Sequence, residues 1–271
     1  MTDAPLEDQH LPGKRTAPIG GEVVRTEPYR RRVRGVVGHT TVVDTTDSLM
    51  LFEQGHLPVL YFPPDAVPAE LLRRSDKHTT CPRKGEASYW DLVVGDRVVP
   101  DAVWSYEDPI DGRDDIKGYL AFYWGKVDHW YEEDDEVFVH VRDPYHRVDV
   151  LNSSRQVRIE RDGVVLAEST RPRFLFETSL PMRTYLPLAD VRQELFEPSD
   201  TTSQCPYKGV ASYHSFRVGD DVVADLAWTY RFPIPELPKV EGLVAFFDEH
   251  VDVYLDGELQ PRPETPWSKR R

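Results

Sequence analysis

Short runs in which apolar and polar residues alternate, rich in valine, tyrosine, phenylalanine and tryptophan, recur along the chain, and this period of two belongs to strands rather than helices. SYWDLVVGDRVVPDAVWSY (88–106) is two such runs joined at Gly95-Asp96, and SYHSFRVGDDVVADLAWTY (212–230) repeats it at Gly219-Asp220. Glycine first in a two-residue loop predicts a type II′ hairpin turn. YLAFYWGKVDHWY reads as a further hairpin around Gly125-Lys126. VRIERDGVVLAES turns at Asp162-Gly163, with RGVVGHTTVVD as its blurred counterpart. One short helix is expected at AVPAELLRR, matched by ADVRQELF, with Pro68 in the first turn, where a missing N–H costs little. The pattern predicts a mainly β protein of antiparallel, barrel-like sheets, each half with one short helix.

The halves are copies. CPRKGEASY (81–89) returns as CPYKGVASY (205–213), with seven of nine positions identical, around the two cysteines of the chain. The offset of 124 residues holds elsewhere without a gap. Phe52-Glu53 falls on Phe176-Glu177, Tyr61 on Tyr185, Val94-Gly95-Asp96 on Val218-Gly219-Asp220, and Trp104 and Tyr106 on Trp228 and Tyr230. A period this long marks a duplicated domain rather than a solenoid of short units. The copies are expected at 31–145 and 146–260, between polar, proline-rich tails at 1–30 and 261–271. The short link VRDPYHRVDV leads us to expect that the two repeats pack on each other. Oligomeric state is not encoded in any motif.

Composition narrows the function. The chain of 271 residues carries 47 acidic and 33 basic side chains, a formal charge of −14, which repels a polyanion; no nucleic-acid partner is expected, and the basic cluster RRRVR is given no such role. No stretch approaches the ~20 apolar residues of a membrane span, so no membrane partner is expected either. The N-terminus lacks the apolar core of a signal peptide, and the expected location is the cytoplasm, with reduced thiols. Two cysteines without a Cys-x-x-Cys pair cannot form a four-thiolate zinc site. His39, His56, His78, His129 and His140 lack the spacing of a metal site, so no metal and no cofactor are expected.

Candidate chemistry centres on the repeated string. A thiolate is the nucleophilic form of cysteine, and a nearby cation favours it. Lys84 stands three residues after Cys81, and Gly85 permits the intervening backbone to curl. Cys81 with Lys84 is therefore either an activated thiol at the rim of a cleft or a half-buried apolar cysteine beside a solvated lysine. His56, three residues after Glu53, could serve Cys81 as a base oriented by Glu53; it could equally be an ordinary loop histidine. Copy two has Leu180 in place of His56 and His214 in place of Trp90. Ser88 and Tyr89, with Ser212 and Tyr213, open a strand and could meet a ligand or alternate between solvent and core. Trp104 and Tyr106, like Trp228 and Tyr230, share one strand face and could stack a planar ligand or fill the core. Cys205 and Lys208 repeat the loop in copy two.

Tyr-Phe-Pro or Tyr-Leu-Pro, the short helix, the Cys-Pro-x-Lys-Gly-x-Ala-Ser-Tyr string and Trp-Ser/Thr-Tyr together resemble the domain of unknown function 427 family in its two-copy form, over roughly residues 33–258. That family is also classed as a nucleotidyltransferase domain, which implies a nucleoside triphosphate and carboxylates holding a divalent metal. The chain has no Asp-x-Asp pair behind a Gly-Ser loop, and Asp220-Asp221 falls on Asp96-Arg97 in copy one. Three functions fit, in this order. The first is binding of a small anionic or carbonyl-bearing ligand beside each Cys-Pro-x-Lys-Gly loop. The second is acyl or group transfer through Cys81, and the third is nucleotidyl transfer.

Overall fold

The computed structural model describes residues 24–269 and divides the chain into two compact units, 1–143 and 144–271. The outer parts of both expected tails, residues 1–23 and 270–271, lie outside the described residues. The strands of the first unit are β1 (Val24–Tyr29), β2 (Val33–Val37), β3 (Thr40–Thr45), β4 (Ser48–Glu53), β5 (Val59–Phe62), β6 (Leu72–Cys81), β7 (Gly85–Val94), β8 (Arg97–Ser105), β9 (Leu120–Phe122), β10 (His129–Glu132) and β11 (Asp135–Glu136). Seven form one antiparallel sheet in the order β1-β4-β5-β9-β8-β7-β6, and β11-β10-β2-β3 form a second. Both sheets are open; neither closes into a barrel.

The second unit repeats this at the offset of the sequence. Its strands are β12 (Val148–Asn152), β13 (Val157–Arg161), β14 (Val164–Ser169), β15 (Arg173–Glu177), β16 (Arg183–Leu186), β17 (Phe196–Glu197), β18 (Thr202–Cys205), β19 (Gly209–Val218), β20 (Asp221–Pro233), β21 (Val244–Phe246), β22 (Asp252–Leu255) and β23 (Glu258–Leu259). The large sheet runs β12-β15-β16-β21-β20-β19-β17, with β18 also on β19, and the small one β14-β13-β22-β23. Even the bulges repeat: one falls at Gly35/Val36 and at Ile159/Glu160, another at Trp90/Leu92 and at His214/Phe216.

Strand alternation builds two cores in each unit. In the first, Met50, Phe52, Leu60, Phe62, Val103, Leu120 and Phe122 of the large sheet join Val33, Val43 and Trp130 of the small one. Their neighbours in sequence, Leu51, Tyr61, Trp104 and Ala121, turn to the opposite face with Tyr89, Tyr106 and Tyr123. Both faces of the large sheet are thus covered, which is why β4 reads as a nearly continuous apolar run. Each large aromatic buries on the order of 150–250 Å², about 4–6 kcal/mol of transfer free energy before side-chain ordering is subtracted.

Four local expectations change. The short helix is absent: AVPAELLRR forms two single 3₁₀ turns, Pro64–Ala66 and Ala69–Leu71, separated by Val67 at φ −117 and ψ 119. Pro68 forces Val67 out of the helical region, so the turns cannot fuse. In the second unit Val191 is held extended by bridging Ala167, with the same result at Leu188–Asp190 and Gln193–Leu195. The segment around Gly125-Lys126 is no hairpin. Its 3₁₀ turn, Trp124–Lys126, carries the chain from β9 in the large sheet to β10 in the small one, where Trp130 enters the shared core. The segment read as N-terminal tail contains β1, paired with β4 along its full length. The C-terminal segment is likewise structured at Pro266–Lys269. No helix of the described residues is long and apolar enough to cross a membrane.

Candidate functional site

The repeated string forms the turn between β6 and β7, and its glycine is obligatory. The Lys84 amide donates to the Cys81 carbonyl at 3.3 Å, and the Lys84 carbonyl accepts from the Ile110 amide at 3.1 Å. Gly85 lies at φ +109, and a Cβ there would stand 3.1 Å from the Ile110 nitrogen and 3.3 Å from the Pro109 Cα. Copy two repeats every part. The Lys208 amide donates to the Cys205 carbonyl at 3.3 Å and the Ile234 amide to the Lys208 carbonyl at 3.1 Å, and Gly209 lies at φ +104, where a Cβ would stand 3.2 Å from the Phe232 carbonyl oxygen. Only glycine combines this dihedral with so close a backbone crossing.

The turn points its lysine inward. Lys84, expected at the rim of a cleft, has no exposed surface, and its Nζ donates to Glu53 Oε2 at 2.6 Å. Arg83 Nη1 donates to Glu53 Oε1 at 3.0 Å, and His56 Nε2 lies 4.0 Å from the same oxygen. Burial, the largest influence on Glu53, raises its pKa; Lys84, His56 and Arg83 outweigh it and hold the carboxyl below its ordinary value. Lys208 makes the corresponding, part-buried bond to Glu177 Oε2, at 2.5 Å. His56 has no counterpart there, but His146 reaches Glu177 Oε1 at 2.8 Å from another direction and stacks on Tyr207 at 4.0 Å. Burial again pushes Glu177 up most strongly, and His146 and Lys208 reverse it, bringing the carboxyl down to about 2. Lys208, pulled down by burial, is held above its ordinary value by Cys205, Glu177 and Tyr185. Both lysines therefore spend their charge on a buried glutamate and present none to a ligand. Cys81 and Cys205 are free and half-buried, and Cys81 packs against the aromatic cluster.

That cluster is a cross-strand row. Tyr61 pairs with Ala121, Ala121 with Trp104 and Trp104 with Tyr89. Tyr185, Ala245, Trp228 and Tyr213 form the same row in copy two. Tyr89 and Tyr106 have no exposed surface, and the Tyr89 hydroxyl bonds Thr79 Oγ1 at 2.8 Å. Tyr213 does the same with Ser203 at 2.9 Å. Burial pushes the Tyr185 phenol up to about 12 and raises Tyr230 as well, so both stay protonated. Ser88 takes the opposite face from Tyr89, where Arg74 Nη2 donates to it at 2.9 Å; Ser212 alternates with Tyr213 in the same way. The serines are not brought together with the aromatic row.

A cavity of about 330 Å³ opens at the end of the row in copy one, bordered by Val59, Trp104, Tyr123, Trp124, Lys126 and Trp130 among others. Trp124 stacks on Trp130 at 4.5 Å, and Tyr123 leans on Trp104 at 4.7 Å. The buried Trp104 Nε1 has no hydrogen-bond partner among the described residues, whereas its counterpart Trp228 donates to the Tyr185 hydroxyl at 3.1 Å. Lys126 Nζ donates to the carbonyls of Pro100 at 2.6 Å and Asp101 at 3.1 Å and lies 5.0 Å above the Tyr123 ring. Burial, followed by Lys77, lowers its pKa. Copy two has Arg183, Asp248 and Glu249 where copy one has Val59, Trp124 and Gly125. Arg183 forms a buried bidentate pair with Glu249 at 2.8 and 2.5 Å, and a space of about 170 Å³ lies beside Met182, Thr184 and Asp248.

The sequence reading singled out Trp104 but missed its cavity, because Tyr123, Trp124 and Lys126 were assigned to a hairpin. It also paired Glu53 with His56 rather than with Lys84. The available signal was that Glu53 and Glu177 keep the same separation from Lys84 and Lys208, 31 residues in each case.

Among the described residues no group of three or more histidine, cysteine, aspartate or glutamate side chains is placed to hold a metal ion. A family model, described as a domain of unknown function (DUF427), matches residues 25–133 and again 149–257. No curated protein matches the chain.

Proposed function

The chain belongs to the DUF427 family, carried as two tandem copies, and on that premise we propose that it is a small-ligand-binding protein whose first copy takes its ligand in the cavity beside Trp104. The observation that carries this reading is an aromatic cavity of about 330 Å³, bordered by Trp104, Tyr123, Trp124 and Trp130 with Lys126 at its edge. The aromatic walls supply the apolar part of a contact, and the Lys126 ammonium favours a carbonyl or carboxylate oxygen beside them. Of the residues read from sequence as ligand-binding, Trp104 borders this cavity, while Tyr89 and Tyr106 are buried in the aromatic cluster that contains Trp104. Lys84 and Lys208 serve as internal ion-pair partners that hold the Cys-Pro-x-Lys-Gly turns in place.

Ligand-observed NMR with a library of small carbonyl-bearing compounds tests the reading. Hits are expected with the full chain and to be lost when Val59→Trp fills the cavity. Hits that survive Val59→Trp unchanged, or no hits at all, would reject the cavity as a ligand site.

A further inference from the structure

The second copy holds an aromatic guest in the region that corresponds to the cavity of the first. Trp267, from the 3₁₀ turn Pro266–Lys269, packs against the cluster that contains Trp228 and Phe247. The Arg183 guanidinium lies 5.7 Å from the centre of its ring, and its backbone carbonyl faces His250 Nε2 at 2.9 Å. Thr265 ties the segment down by donating to Glu249 Oε1 at 2.5 Å. Read at the 124-residue offset, the four groups around this guest have counterparts at the cavity of copy one: Trp104 for Trp228, Tyr123 for Phe247, Val59 for Arg183 and Lys126 for His250. The guest has none, because the residue equivalent to Trp267 is Asp143.

We infer that the ligand of the first copy is a planar aromatic carboxylate, and that Trp267 is the built-in analogue of it in the second. This rests on the reading of the cavity as a ligand site. The aromatic half of the ligand follows from the guest: an indole lies where copy one keeps an open space between Trp104, Tyr123 and the stacked Trp124–Trp130 pair. The carboxylate half follows from the exchange of His250 for Lys126. A histidine Nε2–H serves one neutral backbone carbonyl; the Lys126 ammonium has three donors, of which Pro100 and Asp101 take two, leaving one donor and a positive charge for a ligand oxygen. Lys77, 4.6 Å over Tyr89 and 5.9 Å over Tyr123, adds a second cation on the same face. Asp101, 3.7 Å from Lys77, and Asp91, which acts on Lys126, largely compensate these cations, which disfavours a phosphate dianion.

The test is isothermal titration of the full chain with indole-3-acetate, indole and hexanoate. Indole-3-acetate is expected to bind one equivalent, at least tenfold more tightly than either other probe. Lys126→Met should weaken indole-3-acetate at least tenfold and leave indole unchanged. Lys126→Gln, which keeps a donor for the Pro100 carbonyl, should do the same and stands in where the methionine variant fails to fold. Trp267→Ala should expose the second copy and raise the stoichiometry from one to two. Equal binding of indole, or hexanoate as tight as indole-3-acetate, with both lost in Val59→Trp, would overturn the aromatic-carboxylate assignment while leaving the cavity a ligand site. Loss of Val59 dependence for every probe, or no binding of any probe or library compound, would overturn the cavity reading itself. A stoichiometry that stays at one in Trp267→Ala would end the claim that Trp267 is the analogue.

Discussion

A lysine ammonium with no exposed surface keeps its charge because a carboxylate lies within 2.6 Å, and in Lys84 that partner is Glu53. Removing one member of such a pair strands the other in a low-dielectric site and costs about 3–5 kcal/mol, whereas replacing both by apolar groups is often close to neutral. Lys84→Met is therefore expected to destabilise the first copy by about 3 kcal/mol, at the low end because Arg83 still holds Glu53. The double variant Lys84→Met/Glu53→Met should recover most of that loss. Urea unfolding of the single and double variants checks this, and additive losses would show that the two side chains do not act as a pair. The sequence already marked Lys84 and Lys208 as unusual by writing them twice. It did not show where they point, because inward or outward direction is set by a partner 31 residues away on β4 or β15. Sequence proximity favoured His56 as the companion of Glu53, and the fold keeps it only as a looser neighbour at 4.0 Å.

The turn, not the cysteine, explains why the phrase is duplicated. Cys81 to Gly85 closes β6 onto β7 while a second stretch of backbone, Pro109-Ile110, crosses directly over the glycine. Gly85→Ala must relax a strained φ and push that backbone away, and each effect costs on the order of 1–3 kcal/mol. The expected loss is about 2–4 kcal/mol, against less than about 0.5 kcal/mol for Gly125→Ala, whose Cβ would meet nothing within 4 Å. Differential scanning calorimetry separates the two, and a tolerated Gly85→Ala would return the repeated string to the search for chemistry. Elements set by local chemistry were legible in the sequence. Gly95 and Gly219 sit at φ +58 and +63, as the predicted turns require. Asp162-Gly163 turns between β13 and β14. Elements set by distant packing were not. Trp124–Lys126 looked like a hairpin loop, and only the demand of Trp130 for a place between the two sheets sends the chain across instead.

Duplication preserved the sheets and let the ends of the aromatic rows diverge, so the two copies should answer pH differently. In copy two Glu177 has its carboxyl lowered to about 2, while burial, opposed by Arg183 and reinforced by Glu249, raises Asp248 to about 7. The signs are opposite. A lowered carboxylate stabilises the folded form above its unfolded pKa of roughly 4.3 and loses that contribution as pH falls towards the folded value. A raised one stabilises below its unfolded pKa of roughly 3.9 and loses its contribution as pH rises through the folded value. The second copy should therefore weaken on both sides of a maximum near about pH 4. Copy one carries Trp124 at the position of Asp248, so it lacks this group's contribution to the alkaline slope. Hydrogen exchange read separately on peptides from the two copies, between about pH 2 and 8 and corrected for intrinsic rates, resolves the difference. Asp248→Asn should remove the alkaline decline in copy two and leave copy one unchanged; Glu177→Gln should lower its stability at neutral pH and flatten the acid side. A decline that persists in Asp248→Asn would place its origin elsewhere and separate the Arg183–Glu249 plug from the proton it is argued to trap beside it.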